Sequence, residues 1–515
     1  MSTTQREPSA TGRYGKVGQV LNELDDRLGV AKGGRTFLDK IFPDHWSFML
    51  GEIALYSFMV LMLTGVFLTF YYVPSQTVVT YNGSYLPLFG QHMSEAYAST
   101  VNLSFAVRGG LLMRQMHHWA ADIFAGAIVV HMARIFFTGA FRKPRELNWT
   151  IGTTLLILAI ANGFLGYSLP DDLVSGTGIR IMYSIILSVP LVGTYVAFFL
   201  FGGNFPGTDI LARFFILHVL VIPLIILGLV GAHLFLLVRQ KHTQFPGPGR
   251  TETNVVGSPM FPVFMAKTTG FLMFVTGVIA LLGAFAQINP IWQFGPYFAS
   301  RISYAVQPDW YMGFLDGALR IFPAWEFASF GHTIPLEVTI PAVIFPGILF
   351  TAIFAWPAIE RRYTGDNALH NLLDRPHNRP KRTAAGVAVT MLLTMLFIAS
   401  STDVIANYFK ISLNTVLWAM RVLVVVIPLL SYPLTYRIAK EMQGVVGVGK
   451  RKVTNVVVRT DAGEYVATPA PVYVDDAHHE LDPVPVPTFI EGIESEATDA
   501  PDALETAPGV RRVER

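Results

Sequence analysis

Eight apolar runs of membrane-spanning length decide what this chain can fold into. A helix needs about 20 residues to cross a bilayer. Such runs lie at 47–72, 105–138, 150–168, 212–238, 265–285, 337–357, 384–402 and 414–437. In hydrocarbon each backbone N–H and C=O must find its partner inside the protein, so these runs are read as helices. The expectation is an all-α polytopic membrane protein with eight transmembrane helices. Only 14% of the 515 residues are charged, against about a quarter in soluble domains. A further apolar stretch, Ile179 to Phe201, is broken by Pro190, Gly193 and Gly202-Gly203. It is read as interfacial helices folded back on the membrane.

Positive charge orients the spans. Arg142, Lys143 and Arg145 follow the second, and Arg239, Lys241, His242 and Arg250 follow the fourth. Arg361, Arg362, Arg375, Arg379, Lys381 and Arg382 lie between the sixth and seventh, and Lys440, Lys450, Arg451 and Lys452 follow the eighth. With eight spans all these loops share one face, and both termini are expected to be cytoplasmic. Residues 1–45 lack a secretory apolar core and form a cytoplasmic leader; Tyr14 to Leu28 is either a surface helix or plain leader. Residues 441–515 form a cytoplasmic tail, rich after about Arg459 in Pro, Asp and Glu, and are expected to be disordered. No cationic stretch reads as a nucleic-acid footprint.

The histidines carry the chemistry. Of 13, five fall inside spans: His117, His118 and His131 on the second, His218 and His233 on the fourth. Ionisable groups are costly in a bilayer and mark function. His117 and His131 are 14 residues apart, His218 and His233 are 15. Fourteen residues rise about 21 Å and return to within about 40° of the starting face. Each helix therefore offers two imidazoles, and two such helices running the same way pair His117 with His218 and His131 with His233. Facing imidazoles suit an iron porphyrin with both axial positions filled. Zinc would want more ligands, a proton relay also uses histidine, and polar glue between helices explains one histidine but not four in register.

The flanks fit the porphyrin. Arg114 and Arg134 lie one turn outside the pairs, where propionates would lie; the alternative, snorkelling to the interface, is compatible with that pairing. Gly51 and Gly65 on the first span, and Gly152 and Gly166 on the third, repeat the 14-residue interval, as close approach of a flat macrocycle requires. This defines a four-helix haem-binding bundle in the N-terminal half. His118 is assigned to supporting or packing the site, and Asp122 to capping a watery pocket or pairing with a partner helix. The chain has no cysteine. That excludes disulfides, cysteine-held iron–sulfur clusters and thioether-attached haem within it.

From about residue 45 to 440 the chain resembles cytochrome b of the cytochrome bc1 and b6f complexes. The motifs are Leu63-Thr64-Gly65, the four histidines, Gly166-Tyr167 with Leu169-Pro170, Arg213-Phe214-Phe215 leading to His218, and Pro308-Asp309-Trp310-Tyr311. The last matches the family's Pro-Glu-Trp-Tyr signature. The 15-residue interval and Phe70-Tyr71-Tyr72 with Pro74 look like the b6f type, yet the two halves are fused, and the Asp309 variant and long tail are similar to actinobacterial relatives. On this likeness 46–250 is a b6-like dihaem part and 251–440 a subunit IV-like part with an extra helix.

The resemblance implies a menaquinol:cytochrome c reductase of the bacterial cell membrane, working by a Q cycle. Quinol would be oxidised near the positive face, electrons would cross through two bis-histidine b haems, His117/His218 (bL) and His131/His233 (bH), and protons would be translocated. Asp309 would accept a quinol proton, with Pro308 stiffening the loop, Trp310 structural and Tyr311 lining the pocket. Tyr167 and Gly178 would border it. Asp316 is either a second acceptor or a solvated loop acid. A second quinone would be reduced near Lys267, Arg239 and His242, each of which is equally a positive-inside charge. Implied partners are a Rieske iron–sulfur protein, a dihaem c-type cytochrome, a second copy of the chain and a cytochrome c oxidase in a supercomplex. A dihaem membrane anchor for a dehydrogenase and a histidine-dependent proton-coupled transporter are the competing readings; the Asp309 loop and the lack of an inverted repeat count against them.

Overall fold

The computed structural model describes residues 34, 37–301, 307–329, 331–446, 452–459 and 465–472. Tyr14 to Leu28, and the chain after 472, lie outside the described residues. Among these residues eight helices are long and apolar enough to cross a membrane: Trp46–Thr69, Gly110–Thr138, Glu146–Ser168, Ile210–Gln240, Met260–Phe285, Leu336–Thr364, Pro380–Ala399 and Leu413–Gln443. The protein is an all-helical integral membrane protein.

Where the boundaries move, local chemistry moves them. The second span begins at Gly110, not at 105. A separate helix, Glu95–Phe105, ends just before it, and Gly109 takes φ +76° at the corner, which a side chain would resist. The stretch 179–201 becomes two short helices, Leu173–Leu187 and Gly193–Phe201. Asp172 caps the first by accepting from Val174 N and Ser175 N. Within 441–515, Lys452–Arg459 and Tyr465–Val472 form an antiparallel hairpin. Valines dominate the first strand, and Pro469 and Pro471 lie two apart, so both missing N–H groups point to the same edge.

The first four spans form a bundle in which the first packs on the second and the third on the fourth. Its centre is a plug of Phe58, Phe124, Ile128, Leu155, Leu156, Ala159 and Ile226. Each plug residue lies, in sequence, between the two glycines or the two histidines of its span, so the core separates an upper and a lower imidazole layer. The fifth span packs on the first and second, the sixth on the third, and the seventh runs along the eighth.

The arginines of the basic end are largely structural. Arg145 is buried and donates to His370 O, Gln240 O, Lys241 O and Asn371 Oδ1. Asp374, fully buried, binds Arg382 at 2.7 Å and Arg142 at 3.3 Å. These residues tie three loops together as well as marking a membrane face.

Candidate functional site

Four helices build the imidazole layers. The rings of His117 and His218 face each other with centroids 6.1 Å apart and planes at 77°. Thr64 Oγ1 lies 2.9 Å from His117 Nδ1, and Asn162 O accepts from His218 Nδ1 at 2.9 Å. With Nδ1 engaged on each ring, Nε2 is the atom that would ligate a metal. Two metal–nitrogen bonds of about 2 Å each, plus the half-widths of two imidazoles, need centroids about 6 Å apart. The observed spacing meets that requirement.

The glycines of the first and third spans lie against the histidines of the second and fourth. Each faces an imidazole. A Cβ added at Gly65 would lie 3.2 Å from His117 Cε1, at Gly51 3.1 Å from His131 Cε1, and at Gly152 3.9 Å from His233 Cε1; at Gly166 it would collide with His218. The 14-residue interval therefore matches glycine to histidine across helices and seats the imidazole rings edge-on.

The unequal histidine intervals also resolve. His218 lies in a π-helical turn, Leu217–Val221, followed by Pro223. Proline has no N–H to bond back into the helix, and a π turn accommodates one extra residue. Fifteen residues on this span thus present the face that 14 present on the second.

Arg134 is the polar atom set that most calls for a ligand. Its guanidinium stacks on Phe48 with 4.5 Å to the ring centroid, while Nε and Nη2 are buried without a partner among the described residues. His131 Nδ1 is buried and unpartnered as well. A carboxylate beside Arg134 would satisfy it, which is what a haem propionate brings. Arg114 lines the upper cavity and donates to Asn289 O at 2.9 Å.

The same cavity reaches an acidic cluster. His118, Asn162, Gly163, Tyr167, Asp309 and Tyr311 line it together with His117 and His218. His118 Nε2 lies 3.1 Å from Asp309 Oδ1 and 4.0 Å from Asp122 Oδ2. Tyr311 O–H donates to Asp309 Oδ2 at 3.1 Å. Burial, with Asp309 beside it, holds the Tyr311 phenol well above its usual range, so it remains a donor. Gly163 leaves room for that phenol. Trp310 stands half exposed against Gly126 and edge-on to Tyr311.

Some expected residues are elsewhere. Pro308 and Gly178 are not among the cavity's lining residues; Gly178 faces Phe164. Asp316 is half-buried: it pairs with Arg320 at 2.7 Å, and Arg320 pairs with Asp403 at 3.0 Å. Burial raises its carboxyl to about 6. Sequence reasoning gave His118 a supporting or packing role and left Asp122 between a watery pocket and a partner helix, without linking either to Asp309, and it gave no role to Asn162 or Gly163. An acid one turn after a double histidine was the available signal.

At the basic end, Lys267 is exposed and binds Asp44 at 2.9 Å. His242 packs edge-on to Phe42 and Phe48 with Nε2 buried and unpartnered among the described residues. Burial and then Arg145, Arg134 and Lys40 press it down to about 3, so it is neutral. Arg239 is exposed.

The chain can be placed among known proteins. Residues 122–296 match the family described as Cytochrome b(N-terminal)/b6/petB. The cytochrome bc1 complex cytochrome b subunit of Streptomyces coelicolor is 50% identical over 484 residues, 93% of this chain and 88% of that one. The subunit of the same description from Mycobacterium leprae is 49% identical, covering 92% and 87%. A solved hyperthermophilic respiratory Complex III chain shares the fold, with a TM-score of 0.60 at 20% identity over 82% of this chain and 100% of that one. With half of its residues shared along nearly its whole length, the chain belongs to the family of cytochrome b subunits of the cytochrome bc1 complex.

Proposed function

We propose that this chain is the dihaem, quinol-oxidising subunit of a menaquinol:cytochrome c reductase. The observation that carries the reading is one cavity in which His117 and His218 face each other 6.1 Å apart beside Asp309. His117 and His218 would hold one haem b, His131 and His233 the other, with Arg114 and Arg134 toward the propionates. Bound there, haem b supplies reversible one-electron transfer. Thr64 and the Asn162 carbonyl orient the imidazoles for it.

The rest of the work is proton handling and positioning. A quinol entering beside Tyr167 offers its hydroxyl to Asp309, whose carboxylate accepts the proton. His118 holds Oδ1 and Tyr311 holds Oδ2, which fixes the carboxylate plane. Trp310 and Pro308 stiffen the loop behind it. The basic end, around His242, Lys267 and Arg239, is the proposed second quinone site. Release of protons at one end and uptake at the other is the chain's share of a Q cycle. Having no cysteine, the chain needs a Rieske iron–sulfur protein and a c-type cytochrome as separate subunits. A homodimer and an oxidase-containing supercomplex in the bacterial cell membrane, with both termini cytoplasmic, complete the proposal.

The test is a dithionite-reduced minus oxidised spectrum of the purified complex. Two b-type components are expected. Absence of b-type absorption in folded protein would overturn the reading.

A further inference from the structure

At the basic end, the sixth, seventh and eighth spans bound a cavity of about 610 Å³ that the quinol and haem chemistry does not use. Its cations are Arg379, Lys381, Arg382 and Lys440, and its one carboxylate is Glu360. Arg382 is ion-paired on both terminal nitrogens: it donates to Glu360 Oε1 and to Asp374 Oδ2, each at 2.7 Å. Trp356 Nε1 takes the other Glu360 oxygen at 3.1 Å. Arg379 is shared between Asp374 and Asp366. Two charges are left over. Among the described residues no carboxylate lies within ion-pair distance of Lys381 or Lys440; the Lys381 amine meets only the Tyr363 phenol and the face of its ring, 4.6 Å to the centroid.

The walls around these lysines are aromatic. Tyr363, Tyr432 and Tyr436 line the cavity, and Ile359, Tyr363 and Tyr432 are exposed. The sixth span packs on the third while the seventh runs along the eighth, so the gap between them opens sideways, where acyl chains lie. Aromatic side chains gather at the membrane interface, and basic pockets between spans at the positive-inside face recognise anionic headgroups. A soluble anion would need the lysines but not the lateral, apolar opening.

We propose that this cavity binds the phosphate of an anionic phospholipid headgroup, with Lys381 and Lys440 as its charge partners and the cleft between the sixth span and the seventh and eighth spans as the path of its chains. The ligand is thus a lipid of the leaflet at the basic end.

The test is native mass spectrometry of the purified complex, delipidated in neutral detergent and titrated with dioleoyl phosphatidylglycerol. The double variant Lys381→Gln/Lys440→Gln is expected to lose one phosphatidylglycerol with an affinity fall of about thirtyfold. The Lys381→Arg/Lys440→Arg variant is expected to retain it. Dioleoyl phosphatidylcholine should not fill the site, and millimolar inorganic phosphate should not empty it. Equal retention by the glutamine variant, or equal filling by phosphatidylcholine, overturns the proposal. Displacement by phosphate overturns it in favour of a free-anion site. Haem spectra equal to those of the parent establish that the variants are folded.

Discussion

His118 Nε2 lies 3.1 Å from Asp309 Oδ1, joining the second span to a loop 191 residues further along the chain. One histidine of the adjacent pair faces the imidazole of His218, and its neighbour holds the carboxylate proposed to accept quinol protons. The two sites are therefore mechanically continuous.

Asp309→Asn keeps the hydrogen bond to Tyr311 but removes the proton acceptor. Turnover of quinol is expected to fall by about a hundredfold, within the usual range for a positioned general base. Both haem spectra should be unchanged. Unaltered turnover in a steady-state assay would discard the proton role of Asp309.

His118→Gln and His117→Ala separate the neighbours. The first should leave both haems and slow quinol oxidation less than Asp309→Asn does, because it loosens the carboxylate without removing it. The second should lose the haem beside the quinol cavity. Haem loss from His118→Gln would mean that the two roles are exchanged.

Replacing His131 or His233 should remove only the haem nearer the basic end. Redox titration of the remaining b-type signal measures this. Equal loss of both components in folded protein would contradict the cross-helix pairing.

The four glycines should not respond alike to alanine. Gly152→Ala meets His233 at 3.9 Å and should be nearly silent. Gly51→Ala and Gly65→Ala, at 3.1 and 3.2 Å, press on ligand rings. They should cost about 1–3 kcal/mol of stability and lower haem content. Gly166→Ala should be worst. A flat response across the series would show that the glycines do not seat the imidazoles.

Asp316 gives a pH signature. Its folded carboxyl is raised from 3.8 to about 6 by burial, against the opposing pull of Arg320. Its contribution is therefore fully present below about 4 and lost as pH rises to about 6, beyond which it is flat. Asp316→Asn lacks this slope. The melting temperature of the variant relative to the parent should climb across that window; a constant difference would refute the half-buried, raised carboxyl.

The sequence alone determined the eight helices, the four imidazoles and the family, because apolar length and helical periodicity are local properties. A run of 20 apolar residues spans wherever it occurs, and histidines 14 apart share a helix face whatever packs on them. It also revealed the glycine interval, though not what the glycines touch. Tertiary structure decided the rest. Only packing shows that Gly51 faces His131, that a π turn at His218 absorbs the fifteenth residue, and that His118 meets Asp309 across the fold. Only packing turns the charges at Arg142, Arg145 and Arg382 from markers of a membrane face into buried ties, and leaves Lys381 and Lys440 without a carboxylate partner among the described residues. Such contacts depend on which distant surfaces the bilayer-confined helices press together, and no local pattern encodes that choice.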